Sequence, residues 1–374
     1  MGRHFYVHIP FCEAKCPYCS FFSIADKGGY GDYFDALIKE IRNAPSEIED
    51  DLGQNDTVYF GGGTPSVPDS EYLADTLKAL ISRFDIDPAV AEITIEANPH
   101  SLTFQKASAY RKAGFNRISM GIQSLHDDTL RTLGRLHDRE GALNALKIAR
   151  DAGFTNISGD LILGVPGQSL DDVLCDAGML IDNGCKHISS YSLSIEEGTP
   201  FEKRYGTELD DPDIQEMERK MYHGLRGFLR ENGFIPYEIS NSALQGYESR
   251  HNSAYWSAAE YYGFGAGAHG YIGGKRYGHD NDIDKYINDP LSTSIEEVLS
   301  EKDKMNEYAM LMLRTSAGIT EEGFSVRFGC PIPGYLLDKM KILVDKGLCE
   351  RSGSGIMLSR YGLDYANIAF MEFL

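Results

Sequence analysis

The chain has 374 residues, a formal net charge of −20 and a pI near 4.9. This acidity argues against a large nucleic-acid-binding surface and against charge-driven docking on anionic lipid. No apolar run is long enough to span a bilayer and no secretory signal pattern is present, so neither a membrane span nor secretion is predicted. Seven cysteines with uneven spacing favour a reducing compartment, the cytoplasm, while peripheral association with a membrane stays open.

Short β-rich runs alternate with amphipathic helical runs in the first half of the chain. The predicted strands are Phe5–Ile9, Thr57–Phe60, Glu92–Glu96, Arg117–Gly121, Ile157–Leu163 and His187–Leu193. The predicted helices are Tyr30–Asn43, Asp69–Arg83, Thr103–Ala113, Asp127–Leu133, Arg139–Ala152 and Leu170–Asp182. Six such units predict a parallel sheet with right-handed crossovers, but they are too few to close an eight-stranded barrel. The predicted fold class is therefore α/β, as a partial (β/α)6 barrel.

The second half of the chain predicts a different organisation. A long helix, Pro212–Asn232, precedes a predicted strand, Gly233–Ser240, and then a stretch rich in glycine, tyrosine and histidine. Short helical runs follow, and Gly347–Arg351 with Gly355–Ser359 predicts a hairpin, so we expect a small α+β, winged-helix-like C-terminal domain. The acidity of the chain favours capping or partner docking over DNA binding for this domain. The predicted parts are the barrel at 1–200, a barrel extension at 201–290 and the C-terminal domain at 291–374.

Cys12, Cys16 and Cys19 form a C-x3-C-x2-C motif directly after the first predicted strand. Thiolates at this spacing can ligate three irons of a [4Fe-4S] cube and leave the fourth iron open to a substrate. A structural zinc site with His8 as the fourth ligand is the alternative, although zinc sites usually use two separated pairs of ligands. A disulfide is less favoured still. The scattered cysteines are Cys175, which we expect in the core as part of a helix, and Cys185, Cys330 and Cys349.

Polar and glycine residues recur at or near the ends of the predicted strands. Because the carboxyl ends of parallel strands meet at one edge of the sheet, they predict a single site there. Glycines permit close approach of a ligand to the backbone, and carboxylates can accept hydrogen bonds from an ammonium or a ribose. A tight turn and solvated surface ion pairs are the alternative interpretations. The candidates are Gly61–Thr64, Glu96, Arg117, Gln123, Arg135, Asp160, Tyr191 and Ser192.

These motifs together resemble the radical S-adenosyl-L-methionine (SAM) enzymes. Tyr6–Cys12, Gly61–Pro65, Met120–Ser124 and Asp160–Gln168 resemble the branch named for oxygen-independent coproporphyrinogen III oxidase. In that superfamily SAM chelates the open iron, and its cleavage by an electron from the cluster gives a 5′-deoxyadenosyl radical. The resemblance implies that Cys12, Cys16 and Cys19 hold the cluster. It also implies the SAM contacts Tyr6, Tyr18, Gly62, Gly63, Thr64, Glu96, Gln123, Arg135 and Asp160.

Two departures separate the sequence from the oxidases. They carry a fourth cysteine two residues after the third, where this chain has Phe21, and a longer extension before the cluster motif. The absence of both features matches the sister group, the heme chaperones of the HemW group. The resemblance therefore implies a protein that binds heme and passes it to an acceptor protein, with an electron donor for the cluster. Radical decarboxylation of coproporphyrinogen III is the alternative, so an enzymatic activity is left open.

A second signature points to the same group. Residues 251–256 have the form H-N-x-x-Y-W and contain the chain's single tryptophan. A histidine beside large aromatic side chains can ligate or shelter heme, which makes His251 a candidate heme ligand. The alternative is a structural histidine that is hydrogen-bonded beneath an aromatic corner. His269, within a glycine-rich run, is a second candidate.

Overall fold

The computed structural model describes residues 2–25, 28–46, 55–206 and 211–374. The strands of its first part are β1 (His4–Ile9), β2 (Phe11–Cys12), β3 (Ile24–Ala25), β4 (Thr57–Gly62), β5 (Glu92–Ala97), β6 (Arg117–Gln123), β7 (Asn156–Leu163) and β8 (His187–Ser192). The helices are α1 (Tyr30–Asn43), α2 (Ser70–Phe84), α3 (Phe104–Ala113), α4 (Asp127–Thr132), α5 (Arg139–Asp151) and α6 (Leu170–Asp182). Each predicted strand and helix of this part is present, with small shifts at its ends.

A more irregular segment follows the first part. Its elements are α7 (Pro200–Tyr205), α8 (Pro212–Glu231), β9 (Ile235–Pro236), β10 (Asn241–Ala243), α9 (Arg250–Trp256), β11 (Tyr262–Phe264), β12 (His269–Ile272), β13 (Lys275–Gly278), α10 (Ile283–Asn288) and β14 (Ser294–Val298). The predicted strand Gly233–Ser240 is wrong in its extent, because the strand covers Ile235–Pro236 and Glu238 makes an isolated bridge to Thr315. Pro236 has no N–H to give to a ladder, which confines this short strand to the sheet edge.

The main sheet confirms the predicted partial barrel. Strands β1, β4, β5, β6, β7 and β8 are adjacent in that order and parallel. Strand β11 pairs parallel with β1 at one edge, and β10 pairs antiparallel with β8 at the other. With β9 outside β10, the sheet has nine strands within the described residues and its two edges do not pair with each other.

Side-chain alternation separates an outer hydrophobic layer from a polar barrel interior. Phe5 pairs with Val58 across β1 and β4, and both are fully buried in the main hydrophobic core. Tyr6 and Tyr59, one position further along each strand, face the opposite side, since strand side chains alternate. The helices cover the outer layer, and the interior is left for polar chemistry.

The last part of the chain has the predicted winged-helix-like order of helices and a hairpin. Its elements are α11 (Glu301–Met312), α12 (Glu321–Phe328), α13 (Gly334–Asp345), β15 (Cys349–Ser352), β16 (Gly355–Leu358), α14 (Arg360–Asp364) and α15 (Ala366–Met371). It has a hydrophobic cluster of its own, which includes Leu313, Phe324 and Leu343. The boundaries at 200/201 and 290/291 stay predictions, and Tyr262 and Tyr286 of the middle part pack in the barrel's core.

The cysteine predicted for the core is instead exposed. Cys175 lies in α6 as expected, but the buried face of that helix is formed by Val173, Asp176, Ala177 and Leu180. At 3.6 residues per turn, position 175 points away from that face.

None of the helices within the described ranges is long and apolar enough to cross a membrane.

Candidate functional site

The three motif cysteines lie in a loop at the carboxyl end of β1. Strand β2, which ends at Cys12, pairs with β3, and this pairing closes the loop at its base. The backbone N–H of Cys19 donates to the carbonyl of Cys16 at 3.1 Å, which tightens the segment between them. All three thiols are free and partly exposed. The loop therefore presents three ligands at the open end of the barrel.

Two side chains from elsewhere in the barrel donate to these sulfurs. Thr64 Oγ1 donates to Cys12 Sγ at 3.5 Å, and Arg135 Nη1 donates to Cys16 Sγ at 3.3 Å. Donors of this kind stabilise thiolate and tune iron–sulfur clusters. A small cavity beside them is lined by Cys16, Thr64, Asn98 and Arg135. The donor set fits an iron–sulfur cluster held by the three thiols.

The geometry disfavours the zinc alternative. Tyr6 donates to His8 Nδ1 at 3.0 Å, and His8 Nε2 donates to the carbonyl of Phe22 at 2.9 Å, so neither ring nitrogen is free. Burial lowers the pKa of His8 to about 4, which keeps the ring neutral. Across the described ranges, no three histidine, cysteine or acidic side chains can hold one metal ion. Three thiolates on a cube each bind a different iron and need no such common point.

The glycine run after β4 packs directly against the cluster strand. Gly62 has φ +109°, and a Cβ there would lie 2.5 Å from the His8 ring. The N–H of Gly63 donates to the carbonyl of Ile9 at 2.9 Å, and that of Thr64 donates to Phe11 at 2.7 Å. A side chain cannot replace either glycine without displacing these neighbours. The run is thus a tight turn that also carries Thr64 to Cys12.

Arg135 is held in place from two sides. Its Nη2 donates to the carbonyl of Gly121 at 2.8 Å, and its Nη1 also lies 3.5 Å from the hydroxyl of Tyr18. The Tyr18 ring packs edge-on against Phe201. These contacts orient the guanidinium beside the sulfur of Cys16.

Glu96 and Asp160 lie deeper in the barrel. Tyr59 donates to Glu96 Oε1 at 2.6 Å, and Ser119 donates to Asp160 Oδ1 at 3.3 Å. Burial raises the pKa of Glu96 to about 7, although the Tyr59 hydrogen bond opposes the rise. Burial also raises the pKa of Asp160. Both carboxyls therefore gain a proton at a higher pH than exposed acids do.

The remaining strand-end candidates divide between the two ends of the barrel. Gln123 ends β6 with φ +68°, a conformation that costs energy for a residue other than glycine and often marks a functional position. Tyr191 and Ser192 end β8 and are exposed at the same end. Arg117 was expected at this rim, but this prediction is wrong because it opens β6 and lies at the opposite end of that strand.

His251 does not have the geometry of a heme ligand. Its side chain is 1% exposed, its Nδ1 is 2.7 Å from Thr57 Oγ1, and its Nε2 is 3.0 Å from the Tyr255 hydroxyl. It also stacks on Tyr59. Thr57 opens β4, so the histidine lies at the amino end of the strands, away from the cysteines. The structural interpretation fits this geometry, since both ring nitrogens are already bonded.

The other end of the same motif contacts the C-terminal part. The Arg314 guanidinium lies 4.5 Å from the centre of the Trp256 ring and 5.6 Å from that of Phe370. The N–H of Ile239 donates to the carbonyl of Arg314 at 3.0 Å. The H-N-x-x-Y-W segment therefore joins the base of the barrel to the C-terminal helices.

Unlike His251, His269 has a ring nitrogen, Nε2, that no described residue hydrogen-bonds. It opens β12, its side chain is 55% exposed, and its Nδ1 is 3.1 Å from Glu296 Oε2. Gly267, two residues earlier, packs on the Phe22 ring of the cysteine loop. Sequence reasoning missed Glu296, which is distant in the chain, and Tyr59. Tyr59 lies two residues before Gly61 on β4 and therefore faces the same interior side. Strand alternation could have identified it from the sequence.

Comparisons with known proteins agree with this fold. The radical SAM superfamily model matches residues 6–176, and the HemN C-terminal domain model matches 299–365. A Bacillus subtilis protein named heme chaperone HemW is 34% identical over 377 residues, covering 99% of this chain and 98% of that protein. The Bos taurus radical S-adenosyl methionine domain-containing protein 1, mitochondrial, is 35% identical, covering 85% of this chain and 74% of that protein.

A solved structure shows the same fold over the whole chain. Coproporphyrinogen III oxidase (HemN) from Escherichia coli has a TM-score of 0.81 and 20% identity, covering 100% of this chain and 90% of that one. At this identity the likeness supports the architecture alone. From the sequence identity over nearly its full length, the chain belongs to the radical SAM superfamily and, within it, to the HemW family.

Proposed function

We propose that the chain is a heme chaperone built on the radical SAM fold. It holds one [4Fe-4S] cluster on Cys12, Cys16 and Cys19, binds SAM at the open iron, and binds heme for transfer to an acceptor protein. The observation that carries the proposal is the loop of three thiols at the barrel mouth, with donors from Thr64 and Arg135 on its sulfurs. Relatives of about the same length are named heme chaperones, which supports the heme part of the proposal.

Phe21 distinguishes this site from that of the oxidase. Where the oxidases carry a further cysteine, this chain exposes a phenyl ring that is 69% accessible. A phenyl ring cannot act as a thiol ligand. It adds apolar surface beside the cysteine loop, which suits a flat apolar ligand such as heme. Net porphyrin oxidation is therefore the less favoured function.

The SAM-binding roles follow from the chemistry of the site residues. When bound, SAM on a reduced cluster supplies a 5′-deoxyadenosyl radical. The guanidinium of Arg135 is the group suited to the methionine carboxylate. The exposed backbone at Gly62 and Gly63 suits the amino group, and the carboxylates of Glu96 and Asp160 suit the ribose hydroxyls. Tyr6, Tyr18, Thr64 and Gln123 complete the proposed set.

His269 is the proposed heme ligand. Its Nδ1–H donates to the Glu296 carboxylate, which leaves Nε2 as a lone-pair donor, the pattern typical of metal-ligating histidines. Among the described residues Nε2 has no hydrogen-bond partner. Gly278 lies opposite in the register, where a Cβ would approach Nδ1 to 2.8 Å, so glycine leaves room for the ring.

A heme titration followed by Soret difference spectroscopy tests this assignment. We expect His269→Ala to lower heme affinity about 100-fold and Glu296→Gln about tenfold, since second-shell carboxylates orient the ligand. His100→Ala, another exposed histidine at the barrel mouth, is the matched control and should bind heme as the parent does. Unchanged affinity in His269→Ala, or lost affinity in His100→Ala, would contradict the assignment.

His251→Ala separates the two histidines. It should keep the parental heme affinity but lower the free energy of unfolding by about 2 kcal/mol, because Thr57 and Tyr255 lose a buried partner. Urea denaturation measures this change. Loss of heme binding with unchanged stability would restore His251 as the ligand.

The partners of this function are proposed by class. They are a heme-accepting protein and an electron donor to the cluster, both in the cytoplasm. Because the chain is acidic, the winged-helix-like part is proposed to cap the barrel or to dock a protein partner.

A further inference from the structure

Arg117 is buried inside the barrel, and no other side chain that the structure describes pairs with it. Arg117 is the first residue of β6 and is 1% exposed. Within the ranges that the structure describes, its guanidinium makes no hydrogen bond or ion pair, and its Nε is shielded from solvent. An unpaired buried charge costs free energy, so packing alone does not explain an arginine at this position.

The position of Arg117 relates it to two carboxyls. Strand β6 lies between β5 and β7, and Arg117 is in register with Thr94 on one side and Asn156 on the other. Glu96 lies two positions beyond Thr94, and Asp160 lies four beyond Asn156. Because strand side chains alternate, all of them face the same interior. The positive charge of Arg117 lowers the pKa of both carboxyls and opposes the effect of burial.

The other titratable groups around these carboxyls are uncharged near neutral pH. Burial raises the pKa values of Tyr6 and Tyr59, and it raises that of Cys185 to about 12. Burial lowers the pKa of His187 well below its ordinary value. Among these described side chains Arg117 therefore supplies the positive charge. The set consists of Tyr6 on β1, Tyr59 on β4, Arg117 on β6, Cys185 before β8, and His187 and Tyr191 on β8.

We propose that Arg117 is a positioning residue whose guanidinium acts through space to hold Glu96 and Asp160 as carboxylates for SAM. This inference rests on the proposed function, since it assumes that SAM binds at these residues. The missing contact is consistent with the role. A direct ion pair would occupy the carboxylate oxygens that the ribose hydroxyls require, whereas a charge placed deeper along the strands leaves them free.

The pH dependence of SAM binding tests the inference. SAM affinity of anaerobically reconstituted protein is measured by equilibrium dialysis across neutral pH. In the parent, affinity should fall as the pH drops through about 7, where Glu96 gains a proton. Arg117→Met should move this midpoint upward by about one pH unit, because the carboxyls lose their compensating charge. Arg117→Lys keeps the charge and should keep a midpoint close to that of the parent.

Two further variants make the result decisive. Arg117→Gln, which is polar but uncharged, should behave as Arg117→Met does and serves if the latter folds poorly. In a Glu96→Gln background the pH transition of SAM affinity near neutral pH should be lost. Adding Arg117→Met to this background should then change the pH dependence little. A parental midpoint in both uncharged variants would overturn the inference. A parent that binds no SAM at any pH would instead contradict the proposed function.

Discussion

Replacing Cys16 by serine is expected to abolish assembly of the iron–sulfur cluster. Three thiolates hold three irons of the cube, and a serine hydroxyl is a poor ligand for iron of this kind. After anaerobic reconstitution, iron and sulfide should fall from about four of each per chain to below about one. The same result is expected for Cys12→Ser and Cys19→Ser. Iron analysis, sulfide analysis and the visible absorption band measure the loss.

Cys175→Ser is the matched control for this experiment. Cys175 is exposed on α6, outside the cysteine loop, so its replacement should leave iron and sulfide at the parental level. Full cluster content in Cys16→Ser would contradict the ligand assignment. Stoichiometric zinc in place of iron in the parent would support the structural zinc site instead.

Arg135→Ala is expected to weaken SAM binding to the reconstituted protein by about 100-fold. Truncating one member of a buried charge pair typically costs 2–5 kcal/mol, and the methionine carboxylate would lose its bidentate partner. The variant also removes the N–H donor from Cys16 Sγ, so the reduction potential of the cluster should fall. Equilibrium dialysis with SAM and a redox titration measure the two effects.

Two variants control for charge and for position on the chain. Arg135→Lys keeps the charge, but one ammonium cannot reproduce the fork that reaches both Cys16 Sγ and the carbonyl of Gly121, so affinity should be intermediate. Arg131, four residues earlier, is exposed and paired with Asp128, and Arg131→Ala should match the parent. Parental affinity in Arg135→Ala would remove this residue from the SAM site.

The barrel could be predicted because its signal is local. Alternation of apolar runs with amphipathic helices placed β1 and the five parallel strands after it within about two residues of their observed ends. Strand β11 was missed, since Tyr262–Phe264 is too short to show a period and lies among glycines. Its parallel pairing with β1 depends on residues far apart in the chain, which no local pattern encodes.

The location of a candidate site residue was predictable where it follows from its position along a strand. Glu96, Gln123 and Asp160 were assigned to the open end of the barrel from their places on β5, β6 and β7. The same logic failed for Arg117, because this residue begins its strand instead of ending it. For His251 the motif suggested a ligand, but partners at Thr57 and Tyr255 occupy both ring nitrogens. Such tertiary contacts are outside the reach of a single sequence.

One measurement tests the central claim, that the chain carries heme and does not oxidise porphyrinogen. A single reconstituted preparation is incubated with SAM, reductant and coproporphyrinogen III, and a second portion is loaded with heme and mixed with an apo-hemoprotein. We predict heme transfer to the acceptor and no protoporphyrinogen. Turnover of coproporphyrinogen III to protoporphyrinogen, with no heme bound or transferred, would contradict the account.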